Sequence, residues 1–213
     1  MPQARLIAPG TIVRPRVLQD VAGRSVAIPP AAGLGKPAPA SVLVHLQFRR
    51  FAGCPVCHLH LRSFARRHRE LEAAGVREVV LFHSPPEELR PHTADLPFAV
   101  VADPDKRLYA EFGVESSPRA LLDPRAWLPI LRAVVFAVAG ILTGTVRPPA
   151  ANPQGGRLGL PADFLIAPDG PREGRVVACK YGAHVDDQWS VDEVLALARA
   201  WREESSRPLV GAD

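Results

Sequence analysis

The chain has 213 residues, of which 47% are hydrophobic and 23% are charged, so intrinsic disorder and fibrous architectures are excluded. Its net charge of +4 is modest and no long run of like charges occurs, so no nucleic-acid partner is expected. Three cysteines are too few for a secreted domain held by disulfides, which favours a cytoplasmic location.

The length predicts one domain over residues 1–213. An N-terminal hairpin and linker are assigned to residues 1–40: β-prone runs at 11–13 and Ser25–Ile28 flank a turn signal at Gly23. Residues 29–40, rich in proline, alanine and glycine, are predicted to form neither helix nor strand. The run that follows, residues 41–48, is rich in valine and leucine. Such a nearly continuous apolar run is typical of a strand that is buried on both faces.

A helix is predicted from Pro55 to about residue 74, because apolar side chains recur at helical spacing and Gly75 is placed to end it. The elements expected next are a buried strand at Val76–Phe82, a short helix beginning at prolines 85 and 86, a strand at 97–101 and a helix capped by Asp103.

A helical insert and loop are predicted at residues 124–159, with a strongly apolar segment at 127–144. Its longest charge-free run covers residues 133–146, which is shorter than a membrane-spanning helix requires. The segment is therefore interpreted as a buried or interface helix, without a membrane span. As an interface it would support a homodimer or another partner surface.

The C-terminal part contains a strong hairpin signal at residues 168–170 and a capping box from Ser190 to Glu193. Strands separated by helices, followed by a hairpin and a last helix, predict an α/β fold. The expected architecture is a mixed sheet flanked by helices, with the N-terminal hairpin and the apolar helical insert added to it.

The sequence Cys54-Pro55-Val56-Cys57 is the main candidate site. Proline is preferred at the first position of a helix, so Cys54 is expected at the N-cap, where the helix dipole favours a thiolate. Cys57 lies one turn further on, within reach of a disulfide with Cys54. This is the arrangement of a dithiol–disulfide couple, which needs an exposed sulfur of low pKa and a nearby second thiol. Arg49, Arg50 and His58 would add to the effect if they point inward.

Three alternatives to this interpretation exist. A zinc site would have to use Cys54, Cys57, His58 and His60, which all lie at one helix start, so no metal is expected. Inert core cysteines form the second alternative. The third alternative concerns Cys179, which is expected to be a buried apolar residue in a strand but remains open as a second resolving thiol. No cofactor is predicted.

Several polar residues complete the set of candidates. Asp163 is an open candidate for proton transfer near the cysteines, whereas His184, Asp187 and Trp189 are expected mainly to form a turn and a cap. No partner can be identified from sequence for Ser84, Asp103 and Arg119.

The stretch from Phe51 through Gly53 to Cys57, together with Pro161 before a later hairpin, resembles the thioredoxin superfamily. More narrowly, it is similar to the peroxiredoxin-like branch of the alkyl hydroperoxide reductase/thiol-specific antioxidant family. The resemblance implies that Cys54 attacks, that Cys57 resolves, and that Pro161 is a cis-proline beside the substrate. Four residues would shape the substrate site: Phe51, Gly53, Pro55 and Pro161.

The expected activity is therefore that of a thiol peroxidase or thiol–disulfide oxidoreductase. Its substrate would be a peroxide or a disulfide, and its reductant an external thiol, either thioredoxin-like or of low molecular weight. The alternative is a non-enzymatic redox-sensing or interaction module. The chain departs from the family motif Pro-x-x-x-Thr/Ser-x-x-Cys, because Gln47 and Phe51 occupy the proline and hydroxyl positions. No arginine matches the family's peroxide-binding arginine by sequence alone.

Overall fold

The computed structural model describes residues 6–29, 42–149, 152–170 and 173–206. Among them, eight strands form a six-stranded mixed sheet and a separate two-stranded ribbon. The strands are β1 (Ile12–Val13), β2 (Arg16–Gln19), β3 (Ser25–Ile28), β4 (Leu43–Phe48), β5 (Val76–Phe82), β6 (Ala99–Ala102), β7 (Ala162–Asp169) and β8 (Glu173–Tyr181). The order in the sheet is β1-β8-β7-β4-β5-β6. Strands β4, β5 and β6 are parallel, whereas β7 is antiparallel to both β4 and β8.

Helices cover both faces of this sheet, as predicted. They are α1 (Pro55–Arg66), α2 (His68–Ala73), α3 (Pro86–Thr93), α4 (Arg107–Glu111), α5 (Arg119–Leu122), α6 (Trp127–Leu142) and α7 (Val191–Ser205), with a 3-10 turn at Pro124–Ala126. One hydrophobic core contains side chains of α1, α2, α3, α6 and α7. The second core, on the opposite face, contains α4 and the β2–β3 ribbon.

The central strand β4 is buried along its whole length, which explains its nearly continuous apolar sequence, interrupted by His45 and Gln47. Consecutive residues point to opposite faces, so Leu43 belongs to the first core and Val44 to the second. The β7–β8 hairpin and the capping box of α7 also match the prediction.

The predicted N-terminal hairpin is wrong in its first strand. The ribbon pairs β2 with β3, whereas β1, which lies within the predicted run at residues 11–13, pairs antiparallel with β8. A short β-prone run carries no information about its partner, and β8 is distant in the sequence. The predicted connector at residues 29–40 lies almost wholly outside the described residues.

Two helix boundaries also differ from the prediction. The long helix is interrupted at Arg67, whose side chain pairs with Glu70 and with Asp192 of α7. The helix expected directly after Asp103 begins at Arg107. Asp103 nevertheless caps that helix, because its carboxylate accepts hydrogen bonds from three backbone N–H groups, those of Arg107, Leu108 and Tyr109.

The apolar insert forms α6, which packs against α1: Phe136 of α6 lies beside the His58 ring and the Arg62 guanidinium of α1. Ala133, Ala137 and Gly140 are buried, whereas large apolar side chains on the other side of the helix are exposed. The interpretation as a helix buried within the chain is therefore wrong, because only one side of α6 packs against the rest of the chain and the large apolar side chains on the other side are exposed. By length and composition, one helical stretch of the described residues, Pro124–Leu142, is long and apolar enough to cross a membrane, with a mean hydropathy of 1.7.

Candidate active site

Cys54 lies at the end of the loop after β4 and forms the N-cap of α1, with Pro55 in the first helical position. The Cys54 sulfur accepts a hydrogen bond from the Cys57 backbone N–H, with an N–Sγ distance of 3.5 Å. The Arg50 guanidinium donates a second one, with Nη1 at 3.6 Å from Sγ. Both groups stabilise negative charge on the sulfur.

The two thiols have opposite protonation properties. Burial acts to raise the pKa of Cys54, but a hydrogen bond from the Cys57 thiol and the positive charge of Arg50 lower it to about 6. Burial, together with the adjacent Cys54, raises the pKa of Cys57 well above its ordinary value. Cys54 is therefore the thiolate at neutral pH, while Cys57 keeps its proton.

The Cys54 side chain is buried, with only 1% of the residue exposed, rather than exposed as the sequence interpretation required. The loop before it is covered by the segment that follows α6. Gly53 has a φ of +72°, and a Cβ at this position would lie 2.9 Å from the Pro149 Cα. The Arg157 carbonyl accepts a hydrogen bond from Arg50, and the Arg157 guanidinium lies over the Phe51 ring.

A cavity of about 20 Å³ lies beside Cys54. It is bounded by the loop before α1, by His58 of α1 and by His92 of α3, and most of its remaining wall is apolar. Larger cavities elsewhere in the described residues, of 260 to 630 Å³, do not contain Cys54 or Cys57. The space next to the candidate nucleophile therefore suits a group about as large as one water molecule.

A buried network of charged and polar side chains lies below α1. The Asp163 carboxylate accepts hydrogen bonds from the Arg49 guanidinium at 2.7 Å and contacts His45 Nε2 at 3.1 Å. His45 Nδ1 lies 2.8 Å from the Glu78 carboxylate. The Arg49 guanidinium also contacts His60 Nε2 at 3.2 Å.

Charge balance explains how this network tolerates burial. Burial lowers the pKa of His45, but Glu78 and Asp163 raise it to about 9, so the ring is an imidazolium. Burial opposes ionisation of Asp163, yet Arg49 and His45 hold its pKa well below the usual range. Two positive groups therefore face two carboxylates, and Asp163 is the ion-pair partner of Arg49. Its carboxylate contacts neither cysteine, so the structure does not support its predicted role in proton transfer at the cysteines.

The comparisons with known proteins identify the family and the fold. A family model described as AhpC/TSA antioxidant enzyme matches residues 63–179, more than half of the chain. The chain belongs to this AhpC/TSA family. The matched span begins after Cys57, so roles for the cysteines of this AhpC/TSA protein must be argued from the geometry. No curated protein matches the chain by sequence.

Solved structures share the thioredoxin-like fold of this AhpC/TSA protein. Peroxidoxin BcpB from Mycobacterium tuberculosis is 17% identical with a TM-score of 0.56, covering 91% of this chain and 97% of its own. A peroxiredoxin-like protein from Aquifex aeolicus is 14% identical with a TM-score of 0.58, covering 93% and 90%. Peroxiredoxin Q from Xanthomonas campestris is 17% identical with a TM-score of 0.55, covering 93% and 98%. Membership of the AhpC/TSA family supports a thiol-based redox function.

The structure brings some of the predicted site residues together and separates others. Phe51, Gly53 and Pro55 surround Cys54. Pro161 does not line the cavity at Cys54; it borders another cavity together with Tyr181 and Gly182. The expectation of a cis-proline is wrong, because the single cis bond among the described residues is Ile28–Pro29. A trans Pro161 extends strand β7, and its carbonyl accepts a hydrogen bond from the Gly182 N–H.

Cys179 lies on the other side of the sheet from Cys54. It pairs in register with Phe164 and packs against the second core, whereas Cys54 belongs to the first. The Cys179 thiol contacts the Ile7 carbonyl at 3.4 Å. Cys179 is therefore separated from Cys54 by the sheet, whereas the Cys57 thiol is a hydrogen-bond partner of the Cys54 sulfur.

The remaining polar candidates are structural. The Ser84 hydroxyl accepts a hydrogen bond from the Ala52 N–H at 2.9 Å. Asp187 accepts a hydrogen bond from the Ala183 N–H and forms an ion pair with Lys180, while Trp189 packs on His45.

The loop before α7 forms the expected turn. His184 Nδ1 accepts a hydrogen bond from the Asp186 N–H. The Arg119 side chain lies outside the described part of the chain.

Sequence reasoning missed two contributors to the site, His92 and Pro149. They approach Gly53, next to Cys54, from α3 and from the segment after α6, and no motif links either of them to the cysteine pair. The sequence predicts that Arg50 is close to Cys54, but it does not determine where the Arg50 side chain points. In an extended chain adjacent side chains point opposite ways, so Arg50 reaches Cys54 while Arg49 turns to Asp163.

Proposed function

We propose that this protein reduces a small hydroperoxide through its two vicinal thiols. The observation that carries the proposal is the contact of Arg50 and the Cys57 N–H with the Cys54 sulfur, which favours a thiolate beside a small cavity. The thiolate attacks one peroxide oxygen, the O–O bond breaks, and a sulfenic acid forms on Cys54. The burial of Cys54 favours a small peroxide over the disulfide of another protein.

The Cys57 thiol then attacks the sulfenic sulfur, releasing water and forming the Cys54–Cys57 disulfide. An external dithiol, thioredoxin-like or of low molecular weight, reduces this disulfide and is itself oxidised. A cytoplasmic location would supply such a reductant. No cofactor enters these steps. The family match does not favour the alternative of a non-enzymatic redox-sensing module.

The test is the rate at which reduced protein consumes hydrogen peroxide in a single turnover at different pH values. Because only the thiolate attacks, the rate is expected to rise with pH through a midpoint at about 6 and to level off above it. Arg50→Met removes a positive charge at the sulfur and is expected to move this midpoint upward by roughly one unit or more.

Two control variants separate charge from structure. Arg50→Lys keeps the positive charge and is expected to keep most of the downward shift of the midpoint. Arg66→Met, on the exposed end of α1, is expected to leave the profile unchanged. A reduced wild-type protein that consumes no hydrogen peroxide at any pH would contradict the proposed function.

We also propose that the apolar face of α6 is the interface of a homodimer. Eight large apolar side chains on this face are 36% to 82% exposed: Trp127, Leu128, Leu131, Val134, Val135, Val138, Ile141 and Leu142. Together they present on the order of 800 Å² of apolar surface, which is the share of one partner in a standard interface.

The occupant that fits this face best is a second copy of the chain. A helix that lies on a membrane carries a basic polar face opposite its apolar one. Here the opposite face packs on the chain itself, with Phe136 against α1 and Gly140 against Val146, and Arg132 is the one charged residue in the helix. A two-fold axis would instead place two identical apolar faces together.

The dimer is tested by light scattering coupled to size-exclusion chromatography. The wild-type protein is expected to elute as a dimer, and Val135→Asp as a monomer, because a carboxylate would be buried in the apolar interface. Val17→Asp provides a matched control on the exposed ribbon, where Val17 is 55% exposed. A monomeric wild-type protein, or one that is recovered on anionic phospholipid vesicles through α6, would contradict the dimer.

A further inference from the structure

The cavity beside Cys54 has few polar groups in its wall. Besides the loop before α1, it is bounded by His58, Thr93 and His92 and by apolar side chains such as Leu61 and Leu89. The Thr93 hydroxyl donates its hydrogen to the Leu89 carbonyl at 3.0 Å. The groups left to exchange a proton with a ligand in this cavity are therefore the two imidazoles.

His58 has an unsatisfied nitrogen at this place. Its Nε2 atom is buried and has no hydrogen-bond partner in the part of the chain that the structure describes. Buried polar atoms usually have a partner, so an unpaired nitrogen on a residue that lines a cavity is available to bind a ligand atom there. The residue as a whole is half buried, so the ring also has an edge toward solvent.

A peroxide reaction at Cys54 needs such a proton. When the O–O bond breaks, the departing oxygen carries a negative charge and must be protonated. The Arg50 guanidinium does not give up a proton in proteins, and burial together with Cys54 raises the pKa of Cys57 so that its proton is held. Phe51, at the position of the hydroxyl in the family motif, has no proton to donate.

We propose that His58 delivers the proton to the oxygen that leaves when Cys54 attacks a hydroperoxide. The proposal rests on the proposed peroxide reduction. The Cys54 thiolate forms an S–O bond and is oxidised to the sulfenic acid, while the peroxide is reduced to water or an alcohol. The Nε2–H proton goes to the leaving oxygen, and Nδ1 takes a proton from solvent, so the ring returns to its neutral form.

The electrostatic surroundings of His58 suit this relay. Burial lowers the pKa of His58, with Asp95 and Arg62 acting in opposite directions, so the ring is neutral at physiological pH. A neutral imidazole has one N–H donor and one acceptor nitrogen, which a relay requires. His58 also lies one residue after Cys57 on α1, so the rigid helix fixes its position relative to the nucleophile.

The test compares His58→Gln with wild type on oxidants whose leaving groups differ in basicity. Hydrogen peroxide and methyl hydroperoxide release strongly basic oxygens, whereas peroxyacetic acid releases acetate, which needs no proton. The variant is expected to form the Cys54 sulfenic acid roughly 100-fold more slowly with the first two oxidants, the usual size of a general-acid effect. With peroxyacetic acid the two proteins should react at nearly the same rate.

Two controls show whether the slower reaction is caused by the loss of His58. Alkylation of Cys54 by iodoacetamide reports the thiolate alone and is expected to be the same in both proteins. His68→Gln removes another histidine with a buried unpartnered nitrogen, on α2 and away from this cavity, and should behave as wild type. Equal slowing with all three oxidants, or no slowing with hydrogen peroxide, would overturn the role of His58. A wild-type protein that reacts with none of them would overturn the peroxide reduction itself.

Discussion

Replacing Cys57 by serine is expected to stop the catalytic cycle after its first step. In this variant the Cys54 thiolate still accepts hydrogen bonds from the backbone N–H of residue 57 and from the Arg50 guanidinium. The variant should therefore consume one equivalent of peroxide, because the serine hydroxyl replaces the Cys57 thiol as a hydrogen-bond donor to the Cys54 sulfur. A stable sulfenic acid should accumulate, and dimedone labelling of Cys54 followed by mass spectrometry would detect it.

Cys54→Ser defines the other limit of this experiment. Without the nucleophile no sulfenic acid should form, and peroxide consumption should fall to the level of free thiols in solution. Cys179→Ser is the matched control, because Cys179 packs on the opposite face of the sheet, and it should retain full turnover with an external dithiol. Turnover that survives in Cys57→Ser but is lost in Cys179→Ser would show that the assignment of the resolving thiol is wrong.

Removing Arg49 is expected to produce the largest loss of stability among the substitutions considered. Arg49 and Asp163 are both completely buried, and His45 and Glu78 complete the network. Arg49→Met leaves the carboxylate of Asp163 short of its main counter-charge in a medium of low polarity. The expected loss is about 3–5 kcal/mol in the free energy of unfolding, which urea denaturation followed by circular dichroism measures.

A double variant distinguishes a buried charge from simple loss of packing. Arg49→Met combined with Asp163→Asn removes both charges, so its loss should be clearly smaller than the sum of the two single losses. Arg67→Met removes an arginine that pairs at the surface, and its urea midpoint should stay close to that of wild type. Strictly additive losses in the double variant would contradict a coupled ion pair between Arg49 and Asp163.

The parts of the fold that were predictable have strong local signals. Strand β5 and the β7–β8 hairpin follow from apolar runs and from the turn at Gly170, and the start of α7 follows from the Ser190 capping box. Elements whose partner is distant in sequence were not predictable. A two-residue strand such as β1 is stabilised by its partner β8 rather than by its own sequence.

The insert shows a second limit of sequence reasoning. Because nearly every position of α6 is apolar, its sequence contains no contrast that marks the buried face. The structure selects the face through Phe136, which contacts α1, and through Gly140, where a Cβ would clash with the Val146 side chain. The large side chains are left outside by this packing, and their exposure is the basis of the proposed dimer.

Length, composition and the three cysteines by themselves determined an α/β protein with one candidate dithiol at a helix start, because helix caps and apolar periodicity are local properties. Only the tertiary structure decided the chemistry around that dithiol. Arg50 rather than Arg49 contacts Cys54, Cys179 is separated from it by the sheet, and Pro161 lines a different cavity. These outcomes depend on which side chains from distant segments meet in space, and that is set by the packing of whole elements rather than by any short stretch of sequence.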